Sequence, residues 1–110
     1  MEVQGVIDIL QASADPAQLA DMARFGIKTE RRLGLSIYDL RRIARTISPS
    51  HELALNLWKT NIQEARMLAS MIDVPEEATE DQLECWVADF NSWDICDQVC
   101  DNLIEHTRFA

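Results

Sequence analysis

SIYDLRRIARTI, residues 36–47, decides the fold class of this chain. Ser36 is a typical helix N-cap, and Asp39 follows it three residues later, in the first helical turn. Apolar side chains then recur at helical spacing, at Ile37, Leu40, Ile43, Ala44 and Ile47. The stretch predicts a helix that buries this apolar face and directs Arg41, Arg42 and Arg45 elsewhere.

Helical spacing also dominates the sequence on both sides of this stretch. Six further helices are predicted, over residues 2–13, 15–26, 50–59, 61–72, 79–90 and 92–106. Ser50, Asn61 and Thr79 are residue types that cap helices and stand at three of the starts, so each is a predicted N-cap. No segment of four or more residues alternates as a strand does, and only three glycines and three prolines are present.

These elements predict an all-α protein of antiparallel helix pairs. The connections between the predicted helices are short, and short connections place consecutive helices antiparallel. Such pairs form either a compact bundle or an α-α superhelix, which is a solenoid of HEAT-like helix pairs. Helical spacing alone does not choose between these two arrangements.

The composition predicts a single domain of 110 residues, because 47% of them are hydrophobic and can form a core. The first residues lack the basic region and apolar run of a secretory signal. No stretch approaches the roughly 18 apolar residues of a membrane span. Three cysteines without an export signal predict free thiols, so we expect a cytoplasmic protein without a membrane partner, nucleoid-associated if bacterial.

The formal charge of -9 is concentrated in the second half of the chain. Residues 1–50 carry seven lysines and arginines against six acids, whereas residues 51–110 carry three against thirteen. An acidic surface repels phosphates. Charge by itself therefore argues against nucleic-acid binding by the second half.

The last predicted helix places a carboxylate beside an aromatic ring. On a helical wheel, an apolar arc of about 180° holds Trp93, Ile95, Cys96, Val99, Cys100, Leu103 and Ile104. Asp97 lies at the edge of this arc, one turn after Trp93. The opposite, polar face holds Asp94, Gln98, Asp101 and Asn102.

Asp97 has two interpretations. A carboxylate against an aromatic wall can stabilise a positive charge or activate a water molecule. Wheel geometry alone favours the simpler alternative, a boundary residue that faces solvent or pairs with an arginine. We predict no metal site and no cofactor, because Cys85, Cys96, Cys100 and His106 lack the tight paired spacing of zinc ligands.

Three segments resemble a known family. They are residues 22–27 (MARFGI), residues 35–41 (LSIYDLR) and residues 91–97 (NSWDICD), the last of which matches a Ser-Trp-Asp-x-x-Asp signature. Residues 51–54 and 64–66 fit the intervening helices. Over most of residues 20–105 the chain thus resembles the AlkD-type DNA alkylation repair proteins, which are HEAT-like repeat DNA glycosylases.

The resemblance implies both an activity and the residues that perform it. Members of this family wrap duplex DNA and excise N3- or N7-alkylated purines by cleaving the glycosidic bond. By position, Asp97 corresponds to the catalytic carboxylate, Trp93 to a residue that stacks on the lesion, and Phe25 to an aromatic contact. The candidate phosphate contacts are Arg24, Lys28, Arg31, Arg32, Arg41, Arg42 and Arg45. The implied partner is duplex DNA with alkylated bases.

The resemblance also implies a longer array. Family members supply a further arginine and a second tryptophan from later repeats, so residues 1–110 are expected to form the N-terminal half of a HEAT-like domain. We therefore expect little or no glycosylase turnover from these residues. The alternative is a non-catalytic helical-repeat scaffold for protein or DNA binding. A truncated array would also expose an apolar end, which favours self-association.

Overall fold

The chain folds into α-helices connected by short segments. A computed structural model describes residues 2–15, 17, 24, 33–89 and 93–107, and gives only the backbone for residues 93 and 94. These residues form six α-helices, two 3₁₀ turns and no strand. The helices are α1 (Val3–Ala12), α2 (Ile37–Ala44), α3 (His51–Trp58), α4 (Gln63–Ile72), α5 (Glu80–Ala88) and α6 (Trp93–Asn102). The 3₁₀ turns are Pro75–Glu77 and Ile104–His106.

The all-α prediction is confirmed, and each of these helices lies within a predicted one. The predicted helix over residues 15–26 and most of the connection over residues 27–35 fall outside the described residues. Ala17 and Arg24 are nevertheless helical, and the Ala17 N–H donates to the Asp15 carboxylate across 2.9 Å. That bond is the type expected of an acid at a helix start.

Side-chain caps begin three of the helices. The Ser36 hydroxyl accepts from Asp39 N–H at the start of α2, and the Asp39 carboxylate accepts in return from Ser36 N–H. Thr79 makes the corresponding reciprocal pair with its partner Gln82 at the start of α5. Ser50 accepts from the backbone at the start of α3. The predictions of Ser36, Ser50 and Thr79 as N-caps are confirmed.

The prediction of Asn61 as an N-cap is wrong. Ile62 is the N-cap of α4, without a side-chain hydrogen bond, and Asn61 has a φ of 61°. The chain must reverse direction between α3 and α4 in a few residues, which requires a left-handed residue. Asparagine tolerates that conformation better than most residues with a Cβ, so Asn61 forms the turn instead of the cap.

Helix α4 is the centre of the packing. It contacts α1, α2, α3 and α6, and nearly all of its side chains are buried. Because α2 and α6 both pack on α4, the arrangement is compatible with a stack of helix pairs in a helical-repeat fold. The core draws apolar side chains from all six helices.

Two buried carboxylates tie the connections to the helices. The Glu64 carboxylate on α4 accepts from the N–H groups of Leu33, Gly34 and Leu35, across 3.0, 2.9 and 3.3 Å. The Asp73 carboxylate after α4 accepts from Gln82 and from Val74 N–H, and it lies 2.8 Å from His51 Nδ1. These bonds compensate the cost of burying a charge and set the positions of α2, α3 and α5.

Candidate DNA-binding site and its carboxylate

Asp97 lies on the solvent-facing side of α6. The buried side of this helix consists of Ile95, Val99 and Leu103, which are almost completely inaccessible. Asp97 lies across the helix from that side, and its side chain is exposed. A ligand that approaches α6 from solvent can therefore reach the Asp97 carboxylate directly.

Helix α6 differs from the predicted wheel, which placed Asp97 at the edge of the apolar arc and not opposite the buried side. Gln98 and Asn102 were placed on the polar face, yet Gln98 is 8% exposed and Asn102 is half-buried. Asn102 Nδ2 donates to Gln98 Oε1 across 2.9 Å and to Ser70 Oγ of α4 across 3.4 Å. Ser70 thus binds the Asn102 amide, which in turn binds Gln98. The buried side of α6 is therefore turned towards these two amides and away from Cys96 and Cys100, which are half-buried.

The cysteines of α6 are free thiols, as predicted, and so is the exposed Cys85. Burial raises the pKa of the Cys100 thiol, and Cys96, Asp101 and Asp97 raise it further. A thiol held in its protonated form is a poor nucleophile and a poor metal ligand. Within the described ranges, no group of three or more histidines, cysteines and acids is arranged to hold a metal ion.

The arginines of α2 are exposed on the side opposite its buried residues. Arg41, Arg42 and Arg45 all face solvent, and Arg42 pairs with Asp39 across 2.9 Å. Sequence reasoning missed a fourth member of this side, Tyr38, whose exposed fraction is 81%. Its signal was available, because Tyr38 precedes these arginines at the helical spacing of three, four and seven residues.

The other predicted site residues are only partly described. Arg24 is exposed and helical. Phe25, Lys28, Arg31 and Arg32 lie outside the described residues, as does the side chain of Trp93. Among the described candidates, Asp97 stands on α6 and the α2 arginines stand on a separate helix, and both helices pack on α4.

The remaining tryptophans belong to the core. Trp58 of α3 and Trp86 of α5 stack with ring centroids 4.2 Å apart and planes inclined by 3°. The Arg66 guanidinium lies 4.9 Å from the centroid of Trp58, and Trp58 Nε1 donates to Asp89 across 2.9 Å. Burial lowers the pKa of Arg66, and the charge of Asp89 partly opposes that shift. Because both rings are buried, they join helices and are not accessible to DNA.

These features define an all-α protein that carries an exposed carboxylate on α6 and a cationic side on α2. A family model described as DNA alkylation repair enzyme matches residues 6–109. The chain therefore belongs to the DNA alkylation repair enzyme family, in agreement with the resemblance found in its sequence. Neither a search of curated proteins nor a search of solved structures finds a match.

Family membership assigns a broad function. The chain has a role in the repair of alkylated DNA, and DNA is the partner that this role implies. Among the residues that the structure describes, no helix has both the length and the apolar character needed to cross a membrane.

Proposed function

We propose that this chain acts in the excision of N3- and N7-alkylated purines from duplex DNA, with Asp97 as the catalytic carboxylate. The exposure of Asp97 on α6, opposite the side that packs on the core, is the observation that carries the proposal. The position lies within the residues matched by the family model. Among the residues that the structure describes, Asp97 forms no hydrogen bond and no ion pair, so its carboxylate is available to a ligand.

The proposed reaction is hydrolysis of the glycosidic bond. An alkylated purine carries a positive charge, so it leaves with the electron pair of the C1′–N bond as a neutral base. The deoxyribose then acquires oxocarbenium character, which a nearby carboxylate stabilises. Water adds to C1′ and releases a proton, which Asp97 can accept. The products are the free base and an abasic site.

Positive charge on α2 and on the preceding residues holds the DNA in this proposal. Arg24, Arg41, Arg42 and Arg45 are exposed and can contact phosphates, and Lys28, Arg31 and Arg32 are proposed to join them. By family resemblance, Trp93 and Phe25 contact the damaged nucleotide. Because the whole chain has a charge of -9, we expect binding to be weak and strongly dependent on salt.

The test is base release from a duplex that contains 7-methylguanine, with protein in excess over DNA so that slow cleavage is measured. Asp97→Asn should lower the single-turnover rate at least tenfold, a modest loss for a catalytic carboxylate. Asp101→Asn is the matched control, because Asp101 is also exposed and lies one turn further along α6. Equal rates for the two variants would refute the catalytic role of Asp97. No release by the unmodified chain would agree with the expectation of little or no turnover from these residues, and it would favour the scaffold candidate below.

The second candidate is a non-catalytic scaffold. A groove of about 430 Å³ lies between α5 and the Ile104–His106 turn. Leu83, Val87, Ala88 and Ile104 form its apolar lining, and Glu80 and Glu84 complete it. Such a surface favours protein contacts, including self-association. Sedimentation over a range of protein and salt concentrations tests self-association. A chain that binds DNA, releases no base and dimerises through Val87 would support this candidate over the first.

A further inference from the structure

The outward side of α2 combines one aromatic ring with three cations. We call Tyr38, Arg41, Arg42 and Arg45 the α2 outer face. These residues lie opposite Leu40 and Ile43, which are buried. In the described part of the chain, the exposed large hydrophobic side chains are Tyr38 and Val87, and Val87 lies near acids instead of arginines.

We propose that the α2 outer face binds a DNA strand that contains an unstacked nucleotide, and that Tyr38 stacks on its base. The inference rests on the DNA binding in the proposed function and adds the structure of the DNA that is preferred. Aromatic side chains bind bases in single strands through their faces, and arginines beside them contact the phosphates. Tyr38 and the α2 arginines supply both groups on one helix.

The spacing along α2 suits consecutive nucleotides. Tyr38 precedes Arg41 by about 4.5 Å along the helix axis, and Arg45 follows Arg41 by about 6 Å, at 1.5 Å per residue. Nucleotides of one strand advance by about 3.4 Å in stacked DNA and by more when the strand is extended. A base on Tyr38 therefore places the next phosphates within reach of Arg41 and Arg45.

The groups of the α2 outer face are available for a ligand. Within the described residues, Tyr38 makes no hydrogen bond and no ring contact, and its exposed fraction is 81%. Arg42 is partly neutralised by Asp39, so Arg41 and Arg45 supply most of the cationic charge. In a chain with a charge of -9, such a local cluster attracts a phosphate backbone to one place.

The preference for an unstacked nucleotide follows from the way in which the Tyr38 ring must contact a base. A base inside an intact duplex has both faces covered by its neighbours, so a tyrosine ring cannot stack on it. In single strands, in bulges and beside the gap that an abasic site leaves in the stack, one face of a base is uncovered. Tyr38 thus distinguishes distorted DNA from intact duplex, whereas the arginines bind the backbone of either.

The single tyrosine of the chain permits a direct test. The protein is prepared with 3-fluorotyrosine, and its one ¹⁹F resonance is followed during titration with a single strand, a duplex with an abasic site and an intact duplex of equal length. The first two should shift the resonance by a larger amount than the third, because intact duplex contacts only the arginines beside the ring. Equal shifts with all three would overturn the inference. Fluorescence anisotropy shows separately which of these DNAs bind. If the resonance does not shift with any DNA that binds, the inference is wrong.

Variants measure the size of the effect. Tyr38→Ala should weaken binding of the abasic duplex about tenfold, and Tyr38→Phe should retain it, because stacking needs the ring and not the hydroxyl. Cys85→Ala, at an exposed position on α5, should change nothing. If Tyr38→Ala binds as tightly as the unmodified chain, the inference is wrong.

These results are separable from those for base excision. If the resonance shifts but no base is released, binding by the α2 outer face is supported and the scaffold candidate is favoured over catalysis by Asp97. If base release depends on Asp97 but not on Tyr38 and the resonance does not shift, catalysis is supported and binding by Tyr38 is rejected.

Discussion

The carboxylate of Glu64, at the centre of the fold, accepts a hydrogen bond from the backbone N–H of Gly34 across 2.9 Å. Neighbouring bonds from Leu33 and Leu35 complete a set of three amide donors around one fully buried side chain. Gly34 has a φ of 83°, a conformation that glycine adopts at little cost. This relationship attaches the segment before α2 to α4 and so orients the α2 outer face.

Replacement of Glu64 should therefore be costly. Glu64→Gln keeps the shape but removes the charge, and its NH₂ group would face a donor. We expect the free energy of unfolding to fall by about 2–3 kcal/mol, the range for charge-assisted bonds to a buried group. Urea denaturation measures this change. Glu84→Gln, an exposed position on α5, is the control, and a loss of similar size there would contradict the assignment.

The stack of Trp58 on Trp86 predicts both a stability loss and an optical signal. Trp86→Leu should lower the free energy of unfolding by about 2–4 kcal/mol, because it removes buried ring area and leaves a cavity. The exciton coupling of two stacked indoles should also disappear from the circular dichroism spectrum. Val87→Ala in the same helix should leave both quantities nearly unchanged. Persistent exciton coupling in Trp86→Leu would show that the pair is not its source.

The raised pKa of Cys100 predicts a pH effect. Alkylation by iodoacetamide requires the thiolate, so its rate at Cys100 should rise at higher pH in the folded chain than in the chain unfolded by urea. Because the folded pKa is raised, this thiol's contribution to stability is complete below the unfolded pKa and is lost as pH rises through the folded value. Mass spectrometry of the modified peptides gives the two profiles. Coincident profiles would contradict the shift.

The α2 arginines predict a change in the salt dependence of DNA binding. Arg41→Gln and Arg45→Gln should each reduce the slope of log K against log salt by about one, because each removes one phosphate contact. Fluorescence anisotropy at several salt concentrations measures the slope. Lys59→Gln is the matched control, since Lys59 is an exposed cation at the end of α3. An equal decrease for Lys59→Gln would indicate diffuse electrostatics instead of a site.

Much of the local structure could be predicted from the sequence, because its causes are local. The Ser36–Asp39 and Thr79–Gln82 capping boxes depend on residues three positions apart, so a short stretch of sequence is enough to predict them. Asn61 is the exception within local structure. Its residue type suits both a cap and a left-handed turn, and only the short connection between α3 and α4 selects the turn.

The candidate site was predictable only in part. Asp97 and the arginines of α2 were proposed from position and from resemblance, and the structure shows that their side chains are exposed. Tyr38 was missed, although its helical spacing from Arg41, Arg42 and Arg45 places it on their side of α2. The predicted wheel also placed Gln98, which is buried, and Asn102, which is half-buried, on the solvent-facing side of α6.

The sequence by itself determined the class, the helices, most of their caps and the family of this protein. Tertiary structure alone decided which side of α6 is buried, and hence that Gln98 is buried whereas Asp97 lies opposite the core and faces solvent. The physical reason is that a polar side chain can be buried wherever a distant partner satisfies it. Ser70 does this for Asn102, and the amides of residues 33–35 do it for Glu64. Such partners lie about 30 residues away in the chain, beyond the range of any helical spacing.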